Sequence, residues 1–132
     1  MFIVKLAEGW WTERDFEVVS GVNKLDKNAF VNLLGVAQRL SQGSTSWASE
    51  QIGSFNGSQV NVRFMHQSTA EWHVHPETDE MFVVLAGSVT IDTENGSFPL
   101  IQNDCFIVKA GTQHRARTDE STTLMTLIRK TA

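Results

Sequence analysis

Short apolar runs alternate with turn residues along most of this chain. From about Trp47 onward the pattern predicts strands over residues 60–64, 71–75, 80–85, 89–91, 98–101, 105–108, 114–118 and 123–128. The pairs Asn56-Gly57 and Asn95-Gly96 predict hairpin turns, because both residue types tolerate positive φ. Many short strands at this close spacing indicate an all-β sandwich or barrel.

Residues 26–41 have a helical period instead. One apolar stripe runs through Phe30, Leu33, Leu34, Ala37 and Leu40. Asp26 is a suitable N-cap and Gly43 a suitable stop, so we expect a helix that packs on the outside of the sheet.

The N-terminal part of the chain has a less definite pattern. Two apolar runs, residues 2–4 and 16–19, fit either short strands or an extended arm over the barrel, and the sequence leaves both open. We therefore predict an N-terminal arm and helix over residues 1–46 and a barrel domain over residues 47–132.

Composition and charge exclude several classes of function. The chain has 132 residues, 41% of them hydrophobic, and a net charge of -4, without the basic patch that nucleic-acid binding requires. No apolar stretch approaches the roughly 20 residues of a membrane helix. The single cysteine, Cys105, cannot form an internal disulfide, and we expect it to be buried as a small hydrophobe. A cytoplasmic protein without nucleic-acid or membrane partners is the expectation.

Four residues suit a metal site. His73 and His75 share one face of a predicted strand, and Glu80 begins the next strand after a turn. His114 supplies a third imidazole. Imidazoles with one carboxylate are ligands for Fe, Mn, Ni or Zn, and four donors leave about two positions of an octahedral ion open. The pattern predicts a reactive divalent metal site and not a sealed structural one.

Strand parity extends this prediction to a pocket. If Glu80 faces the interior, Phe82 and Val84 do so as well, and His114 brings Ala116 inward. Phe64 is a further candidate whose facing depends on the strand register. Plain core packing is the more frequent role of such residues, but a mostly apolar cavity suits a small organic ligand.

The opposite face of the same strands is also apolar. It carries Met81, Val83 and Leu85, with Trp72 and Val74 on the preceding predicted strand. Since one-sided sheets alternate and these strands do not, the outer face must be covered by the helix, the N-terminal arm or a second subunit. We predict a homodimer.

Two segments carry a family resemblance. The segment 72–87, from Trp72 to Gly87, resembles the first cupin motif, with His-x-His, four spacer residues, Glu, six residues and Gly in register. The segment 103–114 resembles the second motif. The similarity is to small single-domain cupins, and it implies a double-stranded β-helix, or jelly-roll barrel, with a divalent metal held by His73, His75, Glu80 and His114.

Three positions depart from the usual motifs. Gln67 or a neighbour stands where the first motif usually begins with glycine, and Asn103 stands at the corresponding glycine of the second. Lys109 replaces the usual proline before Ala110-Gly111. None of these changes removes a ligand, but they bear on the geometry of strand entry and of the loop that carries His114.

Two functional classes follow from the site and the resemblance. One is an enzyme, a metal-dependent oxygenase, isomerase or lyase of dioxygenase-like type, acting on a small metabolite. The other is a non-catalytic module that binds or senses a small molecule through the metal. The fold hosts both classes, so the sequence leaves the choice, the catalytic residues and the substrate open.

Overall fold

The computed structural model describes residues 4–6, 9–11, 28, 30–43 and 46–130. Nine strands and one helix lie within these ranges: β1 (Val4–Leu6), β2 (Gly9–Trp11), α1 (Leu33–Gly43), β3 (Trp47–Phe55), β4 (Ser58–Thr69), β5 (Glu80–Ala86), β6 (Ser88–Thr93), β7 (Gly96–Ile101), β8 (Cys105–Val108) and β9 (His114–Arg129). Strands β1 and β2 form a separate antiparallel pair. The predicted apolar run 16–19 and Asp26 lie outside the described residues.

The remaining seven strands form a jelly-roll barrel with antiparallel pairing. The strand order is β3-β4-β9-β5-β8, and β6 pairs with β7 and with β9. Strand β9 joins the two parts of the barrel, because His114 to Arg117 pair with β6 whereas residues 123–128 pair with β5. The sequence predicted two strands here. A single strand of 16 residues forms instead, since β4 pairs with β9 across the predicted gap through a bulge at His66 and Ser68.

The barrel interior is a single cluster of buried side chains. Phe82, Val84 and Leu124 are at most 1% exposed and lie at its centre. The other buried members are Met65, Val89, Ile91, Leu100, Val108 and Ala116, with Phe106 packed against them. Burial of this apolar surface provides the main stabilisation of the barrel.

Helix α1 packs on the outer face of β3 and β4, as predicted. Its Val36 and Ala37 are buried with Ile52 and Val62 of the two strands. The helix begins later than the sequence predicted, because Asn32 caps it: the Asn32 Oδ1 atom accepts a hydrogen bond from the Gly35 amide at 2.7 Å. The predicted stop at Gly43 is confirmed.

Two members of the predicted apolar stripe are exposed, and Phe30, at 48%, is one of them. Leu34 is 58% exposed, while Leu33 and Leu40 pack against the cluster under the helix. At 11 residues α1 is short, and among the described residues no helix is long and apolar enough to cross a membrane.

The turns follow the predicted chemistry. Asn56 and Gly57 both have positive φ, of 50° and 81°, in the β3–β4 hairpin. The β6–β7 hairpin also forms, although in its turn only Gly96 has positive φ. Cys105 is exposed and not buried as expected, since it begins β8, which lies at the end of the strand order and has one neighbour.

Candidate metal centre

The four predicted ligands come from three parts of the chain. Glu80 is the first residue of β5 and His114 the first residue of β9. His73 and His75 lie in the connection between β4 and β5. Two strand ends and a connecting segment therefore meet at one end of the barrel.

The segment 71–75 is not the regular strand that the sequence predicted. His73 forms a single bridge with His114, with backbone N to O distances of 3.0 and 2.9 Å. The His75 carbonyl accepts a bond from the Gly111 amide, and Pro76 has no amide hydrogen to extend the ladder. These contacts still hold His73 and His75 with their ring centroids 5.0 Å apart.

The side chains converge on one point. One candidate donor atom from each of His73, His75, Glu80 and His114 lies within 4.8 Å of all the others. Glu80 Oε1 is 3.0 Å from His114 Nε2 and 3.4 Å from His75 Nε2. Two donors bonded at about 2.1 Å to one ion lie roughly 3.0 to 4.2 Å apart, so small side-chain movements suffice to complete coordination.

Hydrogen bonds to the other ring nitrogens orient two of the imidazoles. His114 Nδ1 lies 2.9 Å from the Thr112 carbonyl oxygen, and His73 Nδ1 lies 2.9 Å from that of Glu71. Because a carbonyl only accepts, each Nδ1 carries the hydrogen. In the neutral ring the lone pair of Nε2 is then directed into the cluster, as in metal-binding histidines with a hydrogen-bonded outer shell. In the protonated ring of His114, Nε2 instead carries a second hydrogen and donates it to Glu80 Oε1 at 3.0 Å.

Burial and charge set the protonation states of the cluster. Glu80 and His114 are 4% and 1% exposed. Burial opposes ionisation of Glu80, but the hydrogen bond from His114 and the charge of Arg63 outweigh it and lower the pKa of Glu80. Burial likewise opposes charge on His114, yet its hydrogen bonds to Glu80 and Thr112 raise its pKa. Burial lowers the pKa of His75 and favours its neutral, ligating form.

This donor set fits a divalent cation. It supplies an ionised carboxylate and three imidazoles, the ligand types preferred by iron, manganese, nickel and zinc. A cation would neutralise the charge of the buried Glu80 carboxylate when the surrounding imidazoles bind in their neutral form. His73, His75, Glu80 and His114 are thus the residues that could hold a metal.

Three of the four expected pocket residues lie in the barrel interior. Phe82, Val84 and Ala116 belong to the central cluster, and the Phe82 ring centroid lies 6.2 Å from that of His114. Phe64 does not share this face. Phe64 pairs with Thr123. Its neighbours Arg63 and Met65 pair with Leu124 and Thr122, which point inward, so Phe64 lies on the opposite face of β4.

Arg63 is the main inward residue that the sequence prediction missed. Its strand partner Leu124 lies in the central cluster, and its charge lowers the pKa of Glu80. Asn61 also shares this face and donates a hydrogen bond to the Thr126 hydroxyl. A correct assignment of which β4 residues face the interior would have identified both residues. That assignment requires the register between β4 and β9.

The departures from the motifs are accommodated locally. Gln67 and Asn103 both adopt positive φ, of 46° and 76°, the conformation that glycine usually provides. Lys109 does not loosen the loop before His114, because its Nζ atom pairs with Asp79 Oδ2 at 2.7 Å. Asp79 also accepts a bond from the Ala110 amide and lies outside the ligand cluster.

A second polar cluster supports the strand that carries His114. Asp92 is 4% exposed and accepts hydrogen bonds from Arg115 Nε and Arg117 Nε at 2.9 and 2.8 Å, and from the Ser97 hydroxyl. The bond to Arg117 is the main reason that the pKa of Asp92 lies far below its ordinary value. The cluster fixes β6 against the first residues of β9.

We expect Asp92→Asn to destabilise the protein by about 1–2 kcal/mol at pH 7, after allowance for the partial exposure of both arginines. The folded-state pKa of Asp92 is depressed, so its stabilising effect is complete above the unfolded value near 3.8 and is lost as the pH falls below it. Urea unfolding at pH 7 and at pH 3 provides the measurement. Equal differences between wild type and variant at both pH values would contradict the assignment.

Comparison with known proteins identifies the family. The family model described as "Cupin domain" matches residues 60–128, just over half of the chain. The protein therefore belongs to the cupin family. The matched range contains all four candidate ligands.

One relative and two solved structures are similar to this chain. The chain is 33% identical over 91 residues to the uncharacterized protein YdbB of Bacillus subtilis, covering 65% of this chain and 74% of YdbB. A cupin-2 domain containing protein from Shewanella frigidimarina superposes with a TM-score of 0.64 at 20% identity, covering 83% of this chain and all of the other. KdgF from Halomonas sp. gives a TM-score of 0.59 at 15% identity, covering 67% and 84%. At these identities the two structures support the fold alone.

Proposed function

We propose that this cupin binds a divalent metal through His73, His75, Glu80 and His114 and uses it to transform a small organic metabolite. The observation that carries the proposal is the convergence of four donor atoms within 4.8 Å at one end of the barrel. A bound divalent ion supplies Lewis-acid or redox chemistry to a substrate oxygen. An oxygenase, isomerase or lyase is the proposed class of activity.

The chain's own residues would have separate tasks in this reaction. The imidazoles and Glu80 supply four donors, which leaves about two positions of an octahedral ion for the substrate. Phe82 and Val84 form an apolar wall that excludes water from the interior side. His75, whose side chain is 31% exposed, lies at the solvent side of the cluster, where a substrate would enter.

Activity measurements test this proposal. Protein purified with its native metal would be incubated with diketones, catechols, thiols and keto-acids while oxygen consumption and product formation are followed. Turnover by wild type that is lost in His75→Ala supports the enzyme. Tight binding of a metabolite without turnover would instead support the sensing module and rule out the enzymatic proposal.

The proposal also includes a cytoplasmic homodimer. Met81 and Val83 of β5 pair with Leu127 and Met125 of β9 on the outer face, where all four are half-buried, and the neighbouring Ile107 is 52% exposed. An apolar face of this kind supports packing against a second copy. A monomer mass in light scattering at micromolar concentrations would rule out the dimer.

A further inference from the structure

Arg63 is directed into the barrel rather than towards solvent. It pairs with Leu124 on β9 and Ser49 on β3, and Leu124 in turn pairs with Val84 on β5. Directly opposed residues of antiparallel strands share a face, and Leu124 and Val84 are both fully buried in the central cluster. The guanidinium therefore shares the interior with the metal ligands.

The Nε donor of Arg63 is not used within the described residues. Its Nε atom is buried and has no acceptor there. The guanidinium carbon lies 4.5 Å from the centre of the Trp47 ring, which holds the plane in place without accepting a strong hydrogen bond. Buried polar groups are almost always satisfied, so a buried donor without an acceptor calls for a specific explanation.

The net charge of the site indicates the charge of the ligand that it favours. Glu80 is the one carboxylate of the ligand cluster, and the three imidazoles are neutral when they bind a metal. A dication, one carboxylate and one guanidinium leave two positive charges uncompensated in a low-dielectric interior. Such a site favours an anionic ligand.

We propose that Arg63 is a substrate-binding residue that holds the carboxylate of a small organic acid while another group of the same molecule occupies the metal. The inference rests on the proposed metal-dependent function and deepens it by naming the substrate class. The planar fork of arginine matches a carboxylate with two parallel hydrogen bonds. Asn61 and Thr126, which lie one inward position away from Arg63 and Leu124 towards the Glu80 end, provide polar groups between the two anchors.

Paired probes test the carboxylate assignment. Manganese-loaded wild type would be titrated calorimetrically with malonate, malonamide, lactate, lactamide and inorganic phosphate. At least one acid is expected to bind roughly 10- to 100-fold more tightly than its amide, the difference that one charge-assisted hydrogen-bonded pair produces. Equal affinity for every acid and its amide, no binding of either acid, or a preference for phosphate over both acids would overturn the proposal.

Variants assign the preference to Arg63. Arg63→Met should remove the preference for the acid, and Arg63→Lys should retain part of it, because lysine keeps the charge but not the fork. Arg39→Met is the matched control, since Arg39 lies on α1 outside the barrel and pairs with Glu50. If Arg63 had only a structural role, its replacement would lower the melting temperature. We expect no such loss in unliganded Arg63→Met, because the buried Nε atom of Arg63 donates to no acceptor within the described residues.

The metal proposal and this inference fail in different ways. Elemental analysis of each variant reports the metal, and metal-free wild type is titrated in parallel. Wild type that binds no metal would refute the metal site, yet an acid preference dependent on Arg63 would still be measured in the metal-free arm. If metal-loaded wild type prefers the acid and metal-loaded Arg63→Met keeps the same preference, the role of Arg63 alone is refuted.

Discussion

Glu80→Gln is expected to abolish stoichiometric metal binding. Glutamine preserves the shape of the side chain but removes the only negative charge of the ligand cluster, and Arg63 then opposes the cation without compensation. Loss of an outer-shell partner typically costs about 10- to 100-fold in metal affinity, and loss of this ligand should cost more than 100-fold. Elemental analysis after desalting, together with titration by a competing chelator, measures the effect.

Glu77→Gln is the matched control for this substitution. It removes the same charge three residues earlier in the same segment, from an exposed side chain outside the ligand cluster. The control should retain about one ion per chain. Equal metal content in the two variants would show that general charge near the site, and not ligation by Glu80, determines binding.

Removal of the metal is expected to lower the melting temperature by roughly 10–20 °C. An ion that binds only the folded protein stabilises it by about 4 kcal/mol at a concentration 1,000 times its dissociation constant, and each kcal/mol corresponds to several degrees for a domain of this size. The effect should be large here because the ion would join three separate parts of the chain, including the irregular segment that carries His73 and His75. Differential scanning calorimetry with and without chelator provides the measurement.

The Glu80→Gln protein supplies the control for the chelator. Its melting temperature should not change on chelation, because it holds no ion to lose. A wild-type melt that is unchanged after verified metal removal would contradict a site that links these segments.

Much of the fold followed from local sequence signals. The strand 105–108 was predicted with the bounds that β8 has, and β5 extends only one residue beyond its predicted end. The hairpin turn at Asn56-Gly57 also forms as predicted, because both residues adopt the positive φ that the turn requires. These features depend on neighbouring residues, which is why periodicity and turn chemistry sufficed.

The errors arose where distant pairing decides the structure. Residues 71–75 alternate like a strand, yet only His73 finds a bridging partner, across 41 positions of sequence. The helix began at Leu33 because Asn32 caps it, although the apolar stripe already started at Phe30. The facing of Phe64 and Arg63 could not be predicted, since it requires the register between β4 and β9. The sequence therefore indicated the metal ligands but not Arg63, the positively charged side chain that shares the barrel interior with them.

The most direct measurement is anomalous X-ray scattering from crystals of the protein purified with its native metal. We expect one peak per chain, about 2.0–2.3 Å from a nitrogen of each of His73, His75 and His114 and from a carboxylate oxygen of Glu80. Side chains that diverge around an interior filled by apolar groups, or a peak located at other residues, would contradict the account.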